Sequence, residues 1–286
     1  MRNGRPRPLF LFLMAGYHLR SLLGGMLVVG LMAALVCVLA LHLKVIQVTI
    51  PLAVPGLLGV PVGLLLVFRT NTAYERWWEG RRQLGDLVNT CRFLALKFSA
   101  YLPAGDGRRG YLARLLGDFA LSLTQHLKGR RTGRATDGLS APLSLLDELS
   151  RLTATLRRED HLDREKLLVV EQGISTLTNI LGACERIKST PMPMAYATHL
   201  EIIVLLYVLI VPFGMVTELG WWTVPIVMAL FYVMEGIQFI GEEIEDPFGD
   251  DPNDLAGEDI ARNIAANVDL ILNPSLPRTA EELQTV

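Results

Sequence analysis

The stretch Arg69-Thr70-Asn71-Thr72-Ala73-Tyr74-Glu75-Arg76-Trp77-Trp78-Glu79 decides the fold, because 24 uncharged residues, Val45–Phe68, come directly before it. About 20 apolar residues are enough for a helix to cross the hydrocarbon core of a bilayer. No turn signal lies at the junction, so we predict one continuous helix that runs from the membrane into water. Such a helix is suited to line a path from the bilayer into an aqueous vestibule.

Composition indicates a membrane protein with a large water-exposed part. The chain has 286 residues, of which 51% are hydrophobic and 20% are charged, and its mean hydropathy is +0.35. It is therefore too apolar for an ordinary soluble domain and too charged for a bundle of membrane helices alone. The net charge of −2 argues against a nucleic-acid partner.

No pattern in the sequence points to catalysis. The cysteines Cys37, Cys91 and Cys184 are widely spaced and form neither a disulfide framework nor a zinc-ligand pattern. The five histidines are not at ligand spacing to one another, and no nucleophile–base pair or phosphate-binding loop is present. We therefore expect a protein that is not an enzyme.

Four apolar segments are candidate membrane spans. In chain order they are Leu22–His42, Val45–Phe68, Ile202–Thr217 and Leu219–Ile240. The first two are long enough to span a bilayer, whereas the last two are short and close together, which predicts an apolar helical hairpin. A hairpin in a soluble core is the alternative for this pair. Trp221 and Trp222 favour the membrane, because tryptophan concentrates at bilayer interfaces.

The distribution of basic residues predicts the topology. Arginines precede the first span and follow the second, whereas the loop between them offers only Lys44, and the loop between the last two spans only Glu218. Because basic residues favour the cytoplasmic side, we predict a multi-pass protein of the cell inner membrane with both termini cytoplasmic. The arginines are Arg2, Arg5, Arg7 and Arg20 before the first span, and Arg69, Arg76, Arg81 and Arg82 after the second.

The region between the spans is helical by its pattern, with apolar residues at steps of three and four, as in Leu84, Leu87, Val88 and Cys91. Residues 129–142 are predicted as a loop. The predicted architecture is an all-α membrane protein with four transmembrane helices and a cytosolic helical bundle. Its parts are residues 1–68 with the first two spans, 69–199 as the cytosolic domain, 200–241 with the last two spans, and 242–286 as an acidic turn and a tail. The tail has one amphipathic stretch around Ile260–Leu272, and we expect it to be extended and to pack on a neighbouring subunit.

The second span carries three prolines and three glycines, which are Pro51, Pro55, Gly56, Gly59, Pro61 and Gly63. Interior prolines remove helix hydrogen bonds, and in a membrane they are tolerated where neighbouring groups or water satisfy the freed carbonyls. This favours a partly wetted, pore-lining helix over a helix kinked for packing. Val60, Leu64 and Phe68 share one stripe at i, i+4 and i+8. That stripe predicts either apolar collars around a pore or ordinary core packing.

Polar residues near the spans leave further alternatives open. Seven carboxylates lie within 242–254, which fits either a solvated acidic run or a site for a hard cation such as calcium. Glu235 and Gln238 interrupt the last span and are expected to face a bundle interior or wet cavity, or to snorkel to the interface. Arg69 and the aromatic residues Tyr74, Trp77 and Trp78 are expected to serve packing or a subunit interface.

Three motifs, in this order along the chain, resemble those of the bestrophin family of ion channels, in its prokaryotic branch. They are Phe68–Glu79 after the second span, Cys184–Pro193 before the third, and Glu243–Asp251 after the fourth. The similar layout extends over nearly the whole chain.

The resemblance implies a ring-shaped homopentamer with one central pore. It places Val60, Leu64 and Phe68 in a narrow hydrophobic neck, and it places a second constriction, the aperture, near Glu165. Family members often carry an apolar side chain at the aperture, so a glutamate ring there would favour cations. A calcium site of the family would use Glu243, Asp246, Asp251 and Asp254, and no other cofactor is expected.

We therefore predict a passive channel for small monovalent ions, with chloride or other anions as the family default. Its expected partners are further copies of the chain, the lipid bilayer and small inorganic ions. A cation-selective channel of the same fold is one alternative, and a membrane-anchored scaffold or signalling protein without conductance is another. A secondary transporter is disfavoured, because the sequence shows no internal repeat.

Overall fold

The computed structural model describes residues 8–44, 50–51, 53–130 and 139–274, with side chains for residue 20 and, within these ranges, from residue 22 onward. Several predicted features lie outside the described residues. They are the first three arginines, the start of the second apolar segment at 45–49, positions 131–138 of the predicted loop, and residues 275–286 of the tail.

The described chain is entirely helix, turn and loop, which confirms the all-α prediction. It contains a one-turn π-helix, Val38–His42, and a 3₁₀ turn, Gly220–Trp222. The α-helices in chain order are α1 Pro8–Cys37, α2 Ala53–Tyr101, α3 Gly107–Leu127, α4 Ala141–Arg158, α5 Arg164–Ser189, α6 Met194–Leu219, α7 Thr223–Glu245 and α8 Gly257–Leu272. The 49-residue α2 runs without interruption through the junction at Phe68 and Arg69, as predicted.

The chain forms two compact units. The first unit combines Met1–Glu75 with Met192–Glu245, and the second combines Arg76–Pro191 with Asp246–Val286. The first unit therefore holds α1, the start of α2, α6 and α7. The second holds the rest of α2 with α3, α4, α5 and α8.

Four helical segments among the described residues are long and apolar enough to cross a membrane: Leu22–His42, Ala53–Tyr101, Arg164–Ser189 and Met194–Glu245. The last segment contains the predicted hairpin as α6, a 3₁₀ turn at Gly220 and α7. Arg164–Ser189 is assigned by its sequence pattern to the cytosolic domain and not to a membrane span. Its hydropathy of 1.3 is the lowest of the four segments, and its buried stripe packs into the core of the second unit.

In the first unit, small residues let the helices approach closely. Val62 and Leu66 of α2 are buried against Val204 and Val208 of α6. A Cβ at Gly59 would lie 2.7 Å from the hydroxyl oxygen of Tyr207. A larger residue at position 59 would therefore make the Tyr207 side chain shift, and the glycine fits the small residues that serve helix packing in membranes generally.

In the second unit, leucine stripes of α2 to α5 form one core. Phe98, Phe119 and Leu156 belong to its fully buried side chains. The α3 helix begins after Asp106, whose side chain accepts a hydrogen bond from the Arg108 N–H at 2.9 Å. That bond satisfies one of the free N–H groups at the start of the helix.

The amphipathic stretch predicted around Ile260–Leu272 is confirmed, but the extended conformation predicted for the tail is wrong over Gly257–Leu272, which form α8. This helix is amphipathic, and its residues Ala261, Ile264, Val268 and Leu272 are buried in the core of the same chain. A Cβ at Gly117 of α3 would lie 3.0 Å from the Cβ of Ala265, so the two helices pack closely. Burial of this apolar stripe favours a helix over an extended segment. Packing of the tail on a neighbouring subunit stays a prediction.

The expectation of three prolines inside the second span needs correction. The helix begins at Ala53, so Pro51 precedes it and Pro55 lies in its first turn, where no intrahelical N–H bond is lost. Only Pro61 lies in the interior of α2.

Candidate ion-conducting site

The start of α2 has two apolar faces with different environments. Val62, Leu66 and Ala73 are at most 4% exposed and pack within the chain. Val60, Leu64 and Phe68, the predicted neck residues, are 72%, 53% and 54% exposed. The predicted stripe is thus not part of the core of the single chain, so the core-packing alternative fails for an isolated subunit.

An exposed apolar face on a helix that crosses a membrane has three possible neighbours, which are lipid, another subunit or a pore. Stacked rings of apolar side chains form constrictions that gate by dewetting. The stripe continues directly into the charged part of α2, where Thr70 and Thr72 donate their hydroxyl hydrogens to backbone carbonyls one turn earlier. The helix therefore changes from apolar to polar at the point where the predicted neck ends.

The three motifs that carry the family resemblance contribute to one cluster in the second unit. Arg76 donates hydrogen bonds to the carbonyl oxygens of Ile187, at 2.7 Å, and Thr190 at the end of α5. Trp77 donates its indole N–H to the carbonyl oxygen of Asn253 at 3.0 Å. A Cβ at Gly80 would lie 3.0 Å from Pro247. Arg76 satisfies carbonyl groups that the helix end leaves free, which fixes where α5 ends.

The residues predicted for packing or an interface have different roles within the single chain. Arg69 is 3% exposed and pairs with Glu242 of α7 at 2.9 Å, and the Trp77 side chain is partly buried against the core of the second unit. Tyr74 and Trp78 are more than half exposed. The exposed surface of these two aromatic side chains is the part that the predicted subunit interface would cover.

Lysine and arginine side chains of the same chain form ion pairs with the acidic turn. Lys188 of α5 pairs with Asp246 at 2.5 Å, and Lys128 pairs with Asp250 at 2.6 Å. Arg130 adds a second cation on Asp250 at 3.0 Å. The hydrogen bond from Lys128 lowers the pKa of Asp250, and the hydrogen bond to Asp250 raises the pKa of Lys128. We call this set of ion pairs the lysine clamp.

The four predicted calcium ligands have different surroundings. Glu243 is buried on α7 in the first unit, Asp251 is exposed, and Asp254 accepts a hydrogen bond from the Asp251 N–H at 2.6 Å. Among the described residues, no three His, Cys, Asp or Glu side chains come together in a way that could hold a metal ion. Because Asp246 bonds to Lys188, this conformation does not fit a calcium shell, and calcium binding stays a prediction.

The predicted aperture residue lies at the start of α5. Glu165 is exposed in the first turn of the helix, next to Lys166, which pairs with Asp163 at 2.9 Å. Three residues further along, Leu168 is 63% exposed. The two side chains are neighbours on the helix surface, because residues three apart share a face. Both are therefore candidates for a constriction.

Sequence reasoning missed the lysine clamp and the role of Arg76. Their partners lie 58 to 122 residues away in the chain, and neither spacing nor composition signals such pairs. It also gave no role to Glu201 of α6, which lines a cavity in the first unit together with Glu235 and Gln238.

Comparison with known proteins agrees with this architecture. A voltage-dependent anion channel-forming protein from Nostoc sp. is 37% identical over 246 residues, which cover 78% of this chain and 80% of the relative. A protein of the same name from Synechocystis sp. is 35% identical and covers 76% of each chain.

The fold is that of a bacterial bestrophin homologue from Klebsiella pneumoniae. Its crystal structure matches with a TM-score of 0.80 at 24% sequence identity, over 86% of this chain and 97% of that one. A sequence profile of the bacterial and fungal bestrophin proteins matches residues 2–270. The chain therefore belongs to the bestrophin family, in its bacterial and fungal branch.

Proposed function

We propose that this protein is a passive, bestrophin-type channel that conducts small monovalent anions, with chloride as the main candidate. Family membership and the channel-forming relatives indicate a channel, not an enzyme. In the proposed assembly, five copies place the start of α2 around a common axis in the cell inner membrane, with both termini in the cytoplasm. The main observation behind this proposal is that the apolar side chains of Val60, Leu64 and Phe68 are exposed along one face of α2.

The proposed neck acts through its width and its lack of polar groups. Three stacked apolar rings have no polar groups that could replace the water molecules around an ion. Ion flux therefore depends on whether the neck is wide enough to hold water. Such a neck discriminates little by the sign of charge. In the proposed channel, selectivity for anions or cations therefore depends on charges outside the neck.

A cation-selective channel is the second candidate, because Glu165 is an exposed carboxylate in the first turn of α5. If five copies of Glu165 surround the aperture, the negative potential raises the local cation concentration and repels anions. The exposed Leu168 offers an alternative aperture that is apolar and neutral.

Reversal potentials of the purified protein in planar bilayers, with KCl gradients across the membrane, decide between these candidates. A reversal potential near the chloride equilibrium potential supports the anion channel, and one near the potassium equilibrium potential supports the cation channel. Glu165→Ala should shift the reversal potential if Glu165 lines the aperture, whereas Glu185→Ala, near the other end and on the opposite face of the same helix, should not. If Glu165→Ala leaves the permeability ratio unchanged, Glu165 does not line the aperture. Leu168→Ala is then the next variant to measure.

The scaffold hypothesis makes the opposite prediction about conductance. A scaffold passes no current, and truncation of Val60, Leu64 and Phe68 together to alanine leaves that result unchanged. In the proposed channel the same triple variant widens the neck and increases the current. Silent bilayers with both the wild type and the triple variant would favour the scaffold.

A further inference from the structure

The cavity of the first unit that Glu201, Glu235 and Gln238 line lies between α6 and α7, and its polar lining contrasts with the apolar stripe of the predicted neck. Its volume is about 380 Å³, and its polar lining consists of three carboxylates and one amide. These are Glu201 of α6 and Glu235, Gln238 and Glu242 of α7. On α7 they follow one another at i, i+3 and i+7, which places them on one face of the helix.

Two of the three carboxylates have no ion-pair partner among the described residues, and the Arg69 guanidinium, which pairs with Glu242, attracts Glu235 only through space. Glu242 pairs with Arg69 at 2.9 Å. Glu201 and Glu235 form neither a hydrogen bond nor an ion pair with any described residue; Glu201 is exposed and Glu235 is half-buried. An ionised carboxylate within a membrane span is costly unless a partner of opposite charge is present. The cavity is therefore missing positive charge.

Gln238 provides an independent indication of a ligand. It is 2% exposed and lines the same cavity, and its side-chain Nε2 has no hydrogen-bond partner among the described residues. A buried amide N–H group is costly without an acceptor. The carboxylates require a cation, and the amide requires an oxygen acceptor close to that cation.

The two requirements exclude several simple occupants. The carboxylates are not grouped closely enough to hold one metal ion, and a bare cation has no acceptor oxygen for Gln238. A primary ammonium group offers three N–H donors that can reach separate carboxylates. A phosphate oxygen two carbons away from the ammonium group can accept the Gln238 hydrogen bond.

We propose that this cavity binds a phosphoethanolamine group, with the ammonium at Glu201 and Glu235 and a phosphate oxygen at Gln238. The site lies towards the end of the α6–α7 pair opposite the Gly220–Trp222 turn, in the part of a span that approaches the headgroup region. An ethanolamine phospholipid of the bilayer is one source of this group, and a soluble phosphoethanolamine molecule is the other.

The test measures thermal stability of the purified full-length protein in nanodiscs. Phosphatidylethanolamine nanodiscs should raise Tm by about 5 °C over phosphatidylcholine nanodiscs, because choline has no N–H donor. Glu201→Gln and Glu235→Gln should each remove most of this difference. Glu218→Gln, an exposed glutamate of α6 outside the cavity, is the matched control and should keep it.

Two further measurements identify the source of the phosphoethanolamine group and keep the test valid if a variant folds poorly. Soluble phosphoethanolamine added to phosphatidylcholine nanodiscs should raise Tm only if the free molecule also enters the cavity. Native mass spectrometry should detect ethanolamine-lipid adducts on the wild type and fewer on Glu235→Gln. Equal Tm values in the two lipids, or an unchanged lipid difference in both glutamine variants, would overturn the proposal.

Discussion

Two leucines on α2, two residues apart, should respond to truncation in opposite ways. Leu66 is 4% exposed and packs in the core of the first unit, whereas Leu64 is 53% exposed on the predicted neck stripe. Leu66→Ala should cost about 2–5 kcal/mol, because it removes buried methyl groups and leaves a cavity. Leu64→Ala should cost about 0.5 kcal/mol or less, because an exposed side chain loses little burial.

Thermal unfolding in detergent, followed by size-exclusion chromatography, measures the stability difference. At about 2–4 °C per kcal/mol for a chain of this size, Leu66→Ala should lower Tm by about 4–20 °C. Leu64→Ala should leave Tm almost unchanged and should increase the current in bilayers, because it widens the neck. Equal destabilisation by the two variants would show that Leu64 is buried in the assembly and does not line an open path.

Three further outcomes follow from contacts in the second unit. Arg76→Ala should lower stability by about 1–3 kcal/mol in the same thermal assay, because the carbonyls at the end of α5 lose their donor. Asp106→Ala should cost about 1 kcal/mol and Asp106→Asn clearly less, because asparagine still caps α3. The Arg108 hydrogen bond lowers the pKa of Asp106 to about 2, so this stabilisation is complete above the unfolded pKa and is lost as pH falls towards 2. The hydrogen bond from Lys128 lowers the pKa of Asp250, so the clamp should also weaken as the pH falls below the unfolded pKa of about 3.9, and Lys128→Met should reduce the dependence of Tm on pH in that acid range. A pH dependence identical to that of the wild type would contradict a clamp that uses Lys128.

The long helices and the motifs were predictable from local sequence. The junction at Arg69 carries no turn signal, and the structure has one helix there from Ala53 to Tyr101. The apolar hairpin was predicted from two short segments and the small loop between them. Hydrophobic periodicity and span length are local properties, so a single sequence is enough to read them.

The errors came from features that depend on contacts far apart in the chain. The segment Gly257–Leu272 is polar on one side, and its helical state follows from burial against α3. The carboxylates of the acidic turn suggested a metal site, but the bond from Lys188 to Asp246 is visible only in three dimensions. Charge pairs of this kind have no sequence periodicity, so they could not be predicted from one chain.

The most direct test of the central claim is modification of a cysteine placed at Leu64 while current is recorded in a bilayer. The native cysteines Cys37, Cys91 and Cys184 are all buried, so the wild type supplies an unreactive background. We predict that a charged methanethiosulfonate reagent blocks or strongly alters the current of Leu64→Cys and leaves the wild-type current unchanged. A steady current through Leu64→Cys after complete labelling, verified by mass, would contradict a pore lined by the start of α2.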